Sequence, residues 1–314
     1  MQNQTDTPTD YPPVWCIAGP TASGKSSMAL ELAQRFDAEI ISADSMQLYR
    51  GLDIGSAKPS AAEQQLVRHH LIDTFDIGEN VTVAAYCRLA EKVIKDIRKR
   101  GKRVIICGGS GLYIKTLLHG MDDLPADTEL RNSLDNKYTL PEQIPDLRQA
   151  VTRIDPAAVN LPESLSLRRL IRILEITTLT GKLPPLNSQG ERPMAIPAAV
   201  WVLRWEREIL KERIRQRTAE MLASGWIEEA EFLLAKGLLS TPTARQAIGY
   251  DIIGEYLAKR ISKDNLLTAI ATKTWQYARR QQTWFAHQHP GAEFITMPAD
   301  IAAIKKWPEP GKAY

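Results

Sequence analysis

Short apolar runs alternate with longer amphipathic stretches through the first third of the chain. Val14-Trp-Cys-Ile-Ala18, Ala38-Glu-Ile-Ile-Ser42 and Val104-Ile-Ile-Cys107 read as buried strands. Met28–Arg35 and Val83–Arg100 have helical periodicity, and Gly101 is placed to stop the second helix. Gly108-Gly-Ser-Gly111 then opens another helix, running through Leu118. This alternation predicts an α/β fold, a phosphate-loop-type parallel sheet flanked by helices. Ligands of such sheets bind outside the carboxyl ends of the strands. The segments around 19–26, Asp44 and 108–111 are therefore expected to share one crevice.

From 121 to 197 the pattern changes to helices broken by Pro125, Pro141, Pro145, Pro162 and Pro184-Pro185, with no clear strand. This predicts a helical insertion. Ala198–Trp205 is apolar enough to return to the sheet, and 206–223, 226–236, 245–258 and 264–286 read as helices, stopped at Gly225 and Gly237. The expected organisation is a tail (1–13), a catalytic core (14–120), the insertion (121–197), a returning strand with C-terminal helices (198–290) and a peripheral tail (291–314).

Composition narrows the class. The 314 residues are 44% hydrophobic and 25% charged, ordinary for a soluble globular protein. No apolar stretch reaches the roughly 18–20 residues of a membrane helix, and the polar start is unlike a signal peptide. Cys16, Cys87 and Cys107 are isolated, which fits reduced thiols and a cytoplasmic location. Net charge is only +3, yet Arg98–Arg103 holds five basic groups in six positions. Residues 271–289 combine Lys273, Arg279 and Arg280 with Trp275, Tyr277, Trp284 and Phe285 and contain no acid. Such clusters suit solvated helix faces or a polyanionic partner such as RNA.

The chemistry begins at Gly19-Pro20-Thr21-Ala22-Ser23-Gly24-Lys25-Ser26, a complete G-x4-G-K-S phosphate loop between a strand and a helix. Backbone amides and Lys25 would cradle a di- or triphosphate, ATP being the automatic guess, and the Ser26 hydroxyl can hold Mg²⁺. A phosphate-loop kinase or NTPase would end a second buried strand in an acid. Here Val104–Cys107 runs into Gly108-Gly109 instead. The strand-end acid is Asp44, a candidate proton acceptor that is also a good turn or cap former.

Several further motifs occur in order: Ser42-Ala-Asp-Ser-Met-Gln-Leu-Tyr-Arg50, Asp53-Ile-Gly-Ser-Ala-Lys-Pro59, His69-His-Leu-Ile-Asp73, Gly108-Gly-Ser-Gly-Leu-Tyr113, Arg172-Ile-Leu-Glu175, Ile248-Gly-Tyr250 and Arg280-Gln-Gln-Thr-Trp-Phe285. With the loop, they resemble the tRNA dimethylallyltransferase (tRNA isopentenyltransferase) family over about residues 14–286. The resemblance implies dimethylallyl diphosphate as donor, Mg²⁺ as cofactor, and N6 of the adenosine 3′ of the anticodon as acceptor. It implies Asp44 as general base, with Lys25 and Arg217 as diphosphate clamp; a monomer is expected. It places Asp44, Ser45, Met46, Gln47, Ser110, Arg131, Arg168, Arg169, Leu170, Ile171 and Arg172 against the tRNA anticodon stem-loop. The sequence departs from the family at Pro162–Leu167, and carries serine for the commoner threonine at Ser26 and Ser110. His69-His70 reads as a structural turn, since no second ligand pair stands at zinc spacing. Alternatives of other kinds are an isopentenyltransferase using free AMP or ADP, a small-molecule kinase or NTPase, and a non-enzymatic RNA-binding protein.

Overall fold

The computed structural model describes residues 11–120, 124–185, 193–289 and 291–308. The chain forms two compact units, one of residues 1–120 with 194–314 and one of residues 121–193. The larger unit begins with β1 (Val14–Ala18), α1 (Lys25–Phe36), β2 (Ala38–Ser42), α2 (Ala61–Leu66), β3 (His69–His70), α3 (Val83–Lys99), β4 (Arg103–Gly108) and α4 (Gly111–His119). The smaller unit contains α5 (Thr128–Lys137), α6 (Ile144–Ile154) and α7 (Leu167–Thr180). The chain then returns through β5 (Ala198–Arg204), α8 (Arg207–Ala223), α9 (Trp226–Ala235), α10 (Tyr250–Leu257), α11 (Lys263–Gln288) and β6 (Glu293–Thr296).

All six strands are parallel, in the order β3-β2-β4-β1-β5-β6. The centre of the sheet is fixed by β1, every residue of which is fully buried. Successive side chains of a strand point to opposite faces. Val14, Cys16 and Ala18 accordingly enter the core against α3, α4 and α9–α11, whereas Trp15 and Ile17 enter a second core against α1. This two-sided burial explains why the strands read as continuous apolar runs. The carboxyl ends of β1, β4 and β2 are neighbours, so the loops after them converge.

Two edges escaped the sequence pattern. His69 and His70 form the short strand β3 rather than a turn, and His70 Nε2 lies 2.6 Å from Glu39 Oε2. Among the described residues no cluster of side chains could hold a metal ion through three His, Cys, Asp or Glu groups. The expected peripheral tail is a second correction: 293–296 pair with β5, and Trp307 packs edge-on against Trp15. Arg35 of α1 ties this segment down by donating to the carbonyls of Ile301 and Ile304. Residues 309–314 and most of the expected N-terminal tail lie outside the described residues. The 245–258 helix is shorter than its pattern, because Gly249 at φ +99° breaks it before α10.

The smaller unit is built of helices and has no strand among its described residues, as the proline-broken pattern implied. Leu134, Leu147, Val151, Leu170 and Leu174 make its core. At the edge of that core Glu175 is fully buried, accepting from Asp127 N–H, from Arg131 and from Arg172. Burial opposes its charge, but the bonds from Arg172, Asp127 and Arg131 outweigh it and hold the carboxyl below the ordinary glutamate value. Breaking a buried pair of this kind costs about 3–5 kcal/mol. We expect Glu175→Gln to lose roughly that much at neutral pH, read as faster amide exchange in α5–α7 with β1, β4 and β5 still protected. A lowered carboxyl value stabilises above the unfolded value and is lost as pH falls through the folded one, so the deficit should narrow in acid. Equal loss of protection in both units would contradict this.

Candidate active site

The loop 19–26 is shaped by what its carbonyls do. Arg213 Nε donates to Ala22 O at 2.9 Å, Trp205 Nε1 donates to Ser23 O at 2.9 Å, and Lys25 Nζ rests 3.2 Å from Pro20 O. A peptide plane points its N–H away from its C=O, so the outward Ser23 carbonyl turns the Gly24 amide inward. Ala22 (φ +61°) and Gly24 (φ +88°) take left-handed conformations, which curl the loop into an anion nest. The first intrahelical bond of α1 runs from Met28 N to Gly24 O, so the amides of Lys25, Ser26 and Ser27 have no helical partner. No acidic residue occupies that first turn, leaving the positive end of the helix dipole for a ligand. The Ser23 hydroxyl is buried without a hydrogen-bond partner among the described residues. Such a loop presents inward amides and a helix N-terminus of the kind that suits an anion.

Asp44 stands just past the end of β2, with β4 between that strand and β1. Its Oδ1 accepts Met46 N–H at 2.9 Å, the turn-forming role, while Oδ2 has no hydrogen bond among the described residues. Both readings of this residue are therefore satisfied by different oxygens. Its charge reaches Lys25, Arg217 and Tyr277. Burial pushes the Lys25 ammonium below the ordinary lysine value, Cys107 and Asp44 pull it back up, and Arg217 lowers it. Burial likewise lowers Arg217, opposed by Asp44. Burial raises the Cys107 thiol to about 11, leaving it neutral beside Lys25. The tyrosine hydroxyl of Tyr277 is pushed well up by burial and by Asp44.

The glycines at 108–111 serve packing. A Cβ on Gly108 would lie 2.1 Å from Ala43 O, one on Gly109 2.2 Å from Gln281 Nε2, and one on Gly111 2.1 Å from Trp284. Ser110, at the start of α4, accepts Ser45 N–H on its hydroxyl at 3.1 Å, and its own amide donates to Ala43 O. The loops after β1, β2 and β4 thus meet as expected. Arg217 also reaches the loop, 3.5 Å from Thr21 Oγ1, so its helix face is not simply solvated.

Other expected RNA-contacting residues fare differently. Gln47 is buried: its Oε1 accepts from Ser42 Oγ at 2.8 Å, and its amide donates to the carbonyls of Ser56 and Ala57. Its donors are spent on the Ser56 and Ala57 carbonyls rather than free to read a base. The 53–57 segment is in turn held by Glu229, which accepts from the amides of Asp53, Ile54 and Gly55. Leu170 and Ile171 are core residues of the smaller unit and cannot touch a ligand, a correction that follows from helical spacing. Arg131 and Arg172 are engaged by Glu175. Arg168 and Arg169 are exposed, without a side-chain partner among the described residues.

Sequence reasoning missed Trp205, Arg213, Gln281 and Glu229. Arg213 carried a signal, one turn from Arg217 on the same helix. The other three act on backbone groups far away in the chain, which no local pattern encodes.

A metal would find hard oxygen donors here. Mg²⁺ takes one or two protein oxygens with water and substrate phosphates, and the exposed Ser26 hydroxyl and the free Asp44 oxygen are of that kind. The IPP transferase family profile matches residues 47–288. The chain belongs to the IPP transferase family. Among relatives, the tRNA dimethylallyltransferase of Geobacter metallireducens is 41% identical over 274 residues, 86% of this chain and 88% of that protein. That of an Exiguobacterium species is 41% identical over 285 residues, 89% of each chain. The tRNA isopentenylpyrophosphate transferase of Bacillus halodurans has a similar fold, with a TM-score of 0.65 and 35% identity over 91% of this chain and 90% of that one. A eukaryotic dimethylallyltransferase acting on tRNA gives a TM-score of 0.77 at 26% identity, over 91% and 74%.

An IPP transferase loop with these charges should bind inorganic diphosphate in a pH-dependent way. Affinity is expected to fall as pH rises through the lowered Lys25 value, earlier than an ordinary lysine would lose its charge. Lys25→Arg should move that fall upward, as titration calorimetry across alkaline pH would read. An unshifted profile would remove Lys25 from the cradle.

Proposed function

We propose that this IPP transferase moves the dimethylallyl group of dimethylallyl diphosphate to N6 of the adenosine 3′ of the anticodon in tRNA, releasing diphosphate. The observation that carries the reading is an anion cradle facing a strand-end carboxylate with a free oxygen. An exocyclic adenine amine is a poor nucleophile, because its lone pair is delocalised into the ring. As its nitrogen bonds to C1 of the donor, the C1–O bond to diphosphate breaks and the N6 proton passes to Asp44. The loop amides, Lys25 and Arg217 take up the charge that develops on the leaving diphosphate. The Ser26 hydroxyl would hold Mg²⁺, which would supply further charge neutralisation.

The acceptor base lies in an RNA loop and has to leave its stack to reach Asp44. Arg168 and Arg169 suit phosphate contacts on the smaller unit, being exposed and unspent. The relatives bear tRNA in their names, which does not favour the free AMP or ADP alternative. One chain supplies loop, base and clamp, which supports a monomer. Three buried free thiols support a reducing, cytoplasmic setting. Among the described residues no helix is long and apolar enough to cross a membrane.

Transfer of labelled donor to unmodified tRNA, with the modified nucleoside located by mass spectrometry, tests the reading. Asp44→Ala should slow transfer about 10²- to 10⁴-fold, with tRNA affinity little changed. Affinity that collapses in step with rate would make Asp44 a base-holding residue, and label found on AMP alone would overturn the acceptor.

A further inference from the structure

The segment Arg280-Gln-Gln-Thr-Trp-Phe285 is a motif whose residues the transfer chemistry leaves unused. Gln281, on the 26-residue helix α11, is 6% exposed. Its side-chain amide bridges two loops: Oε1 accepts Thr21 N–H at 2.9 Å, and Nε2 donates to Gly109 C=O at 2.9 Å. Thr21 belongs to the phosphate loop. Gly109 precedes Ser110, whose hydroxyl accepts Ser45 N–H beside Asp44.

The bridge is prepared from both sides. Space for the amide exists only because residue 109 lacks a Cβ, which would stand 2.2 Å from Nε2, and Gly19 O lies 3.3 Å from the same point. Tyr277, one turn earlier on α11, lies in the field of Asp44. Trp284, one turn later, packs where a Gly111 Cβ would be. On the far side of Thr21 stands Arg217.

We propose that Gln281 is a positioning residue that sets the separation between the phosphate loop and the Asp44 turn, and so between leaving group and base. The inference rests on the transfer reading above. Thr21 offers a half-buried donor and Gly109 an acceptor, so a carboxylate satisfies only the first and an alkyl chain neither. Reacting atoms have to lie about 3–3.5 Å apart, and a displacement near 1 Å costs about 10²-fold in rate. Gln281 itself touches neither substrate in this scheme.

The test uses the full chain, with single-turnover transfer measured beside separate affinities for tRNA and for inorganic diphosphate. Gln281→Glu is expected to slow transfer about 10- to 100-fold while both affinities stay within about threefold, a split that general loosening would not produce. If Gln281→Glu fails to fold, Gln281→Ala supplies the same comparison without a buried charge. Gly109→Ala should slow the wild-type protein but add little in the Gln281→Ala background, where its Cβ enters vacated space. Transfer within about threefold of wild type in Gln281→Ala, losses of rate and affinity in equal measure, or full additivity with Gly109→Ala would each overturn the positioning role. A wild-type protein that binds diphosphate yet transfers nothing would instead overturn the transfer reading.

Discussion

The reaction centre depends on the carbonyls of residues 20–23 being held away from the cradle. Loop amides can receive an anion only if their own carbonyls are occupied elsewhere, and a nest of amides loses its field if the loop relaxes. Arg213 and Trp205 fasten two of those carbonyls. The left-handed turns at Ala22 and Gly24 are tolerated because these contacts over-determine them. The same constraint explains the absence of an acid in the first turn of α1, where a carboxylate would compete with the ligand for the helix dipole.

That constraint reaches across the whole larger unit. The partners of the loop lie 182, 191 and 260 positions away, on or next to α8 and on α11. The C-terminal helices therefore do more than complete a sheet. They carry the side chains that keep a loop near the N-terminus in binding form, and through Gln281 and Trp284 they also seat the loop after β4. The glycines at 108, 109 and 111 each admit a different neighbour: the Ala43 carbonyl, the Gln281 amide and the Trp284 ring.

Much of this was legible in the sequence because it rests on period and local chemistry. The four central strands were visible as apolar runs, since both faces of the sheet are buried. The loop with Lys25 was legible because phosphate cradles place glycines, a lysine and a helix start in fixed order, and Asp44 because it closes an apolar strand. The edge strands were not legible: β3 is two histidines, and β6 is itself only partly buried. In the smaller unit, Arg131 and Arg172 read as RNA contacts until the buried Glu175 claimed both. Burial of a carboxylate has no signature in a single sequence, and its partners follow its position.

The central claim is that the loop holds a leaving group rather than a nucleotide to be hydrolysed. The most direct measurement is the stoichiometry of inorganic diphosphate released per prenylated adenosine, with dimethylallyl diphosphate and tRNA and without added nucleotide. The account predicts one diphosphate for each transfer and no requirement for ATP. Release of orthophosphate from ATP with no prenyl transfer would contradict it.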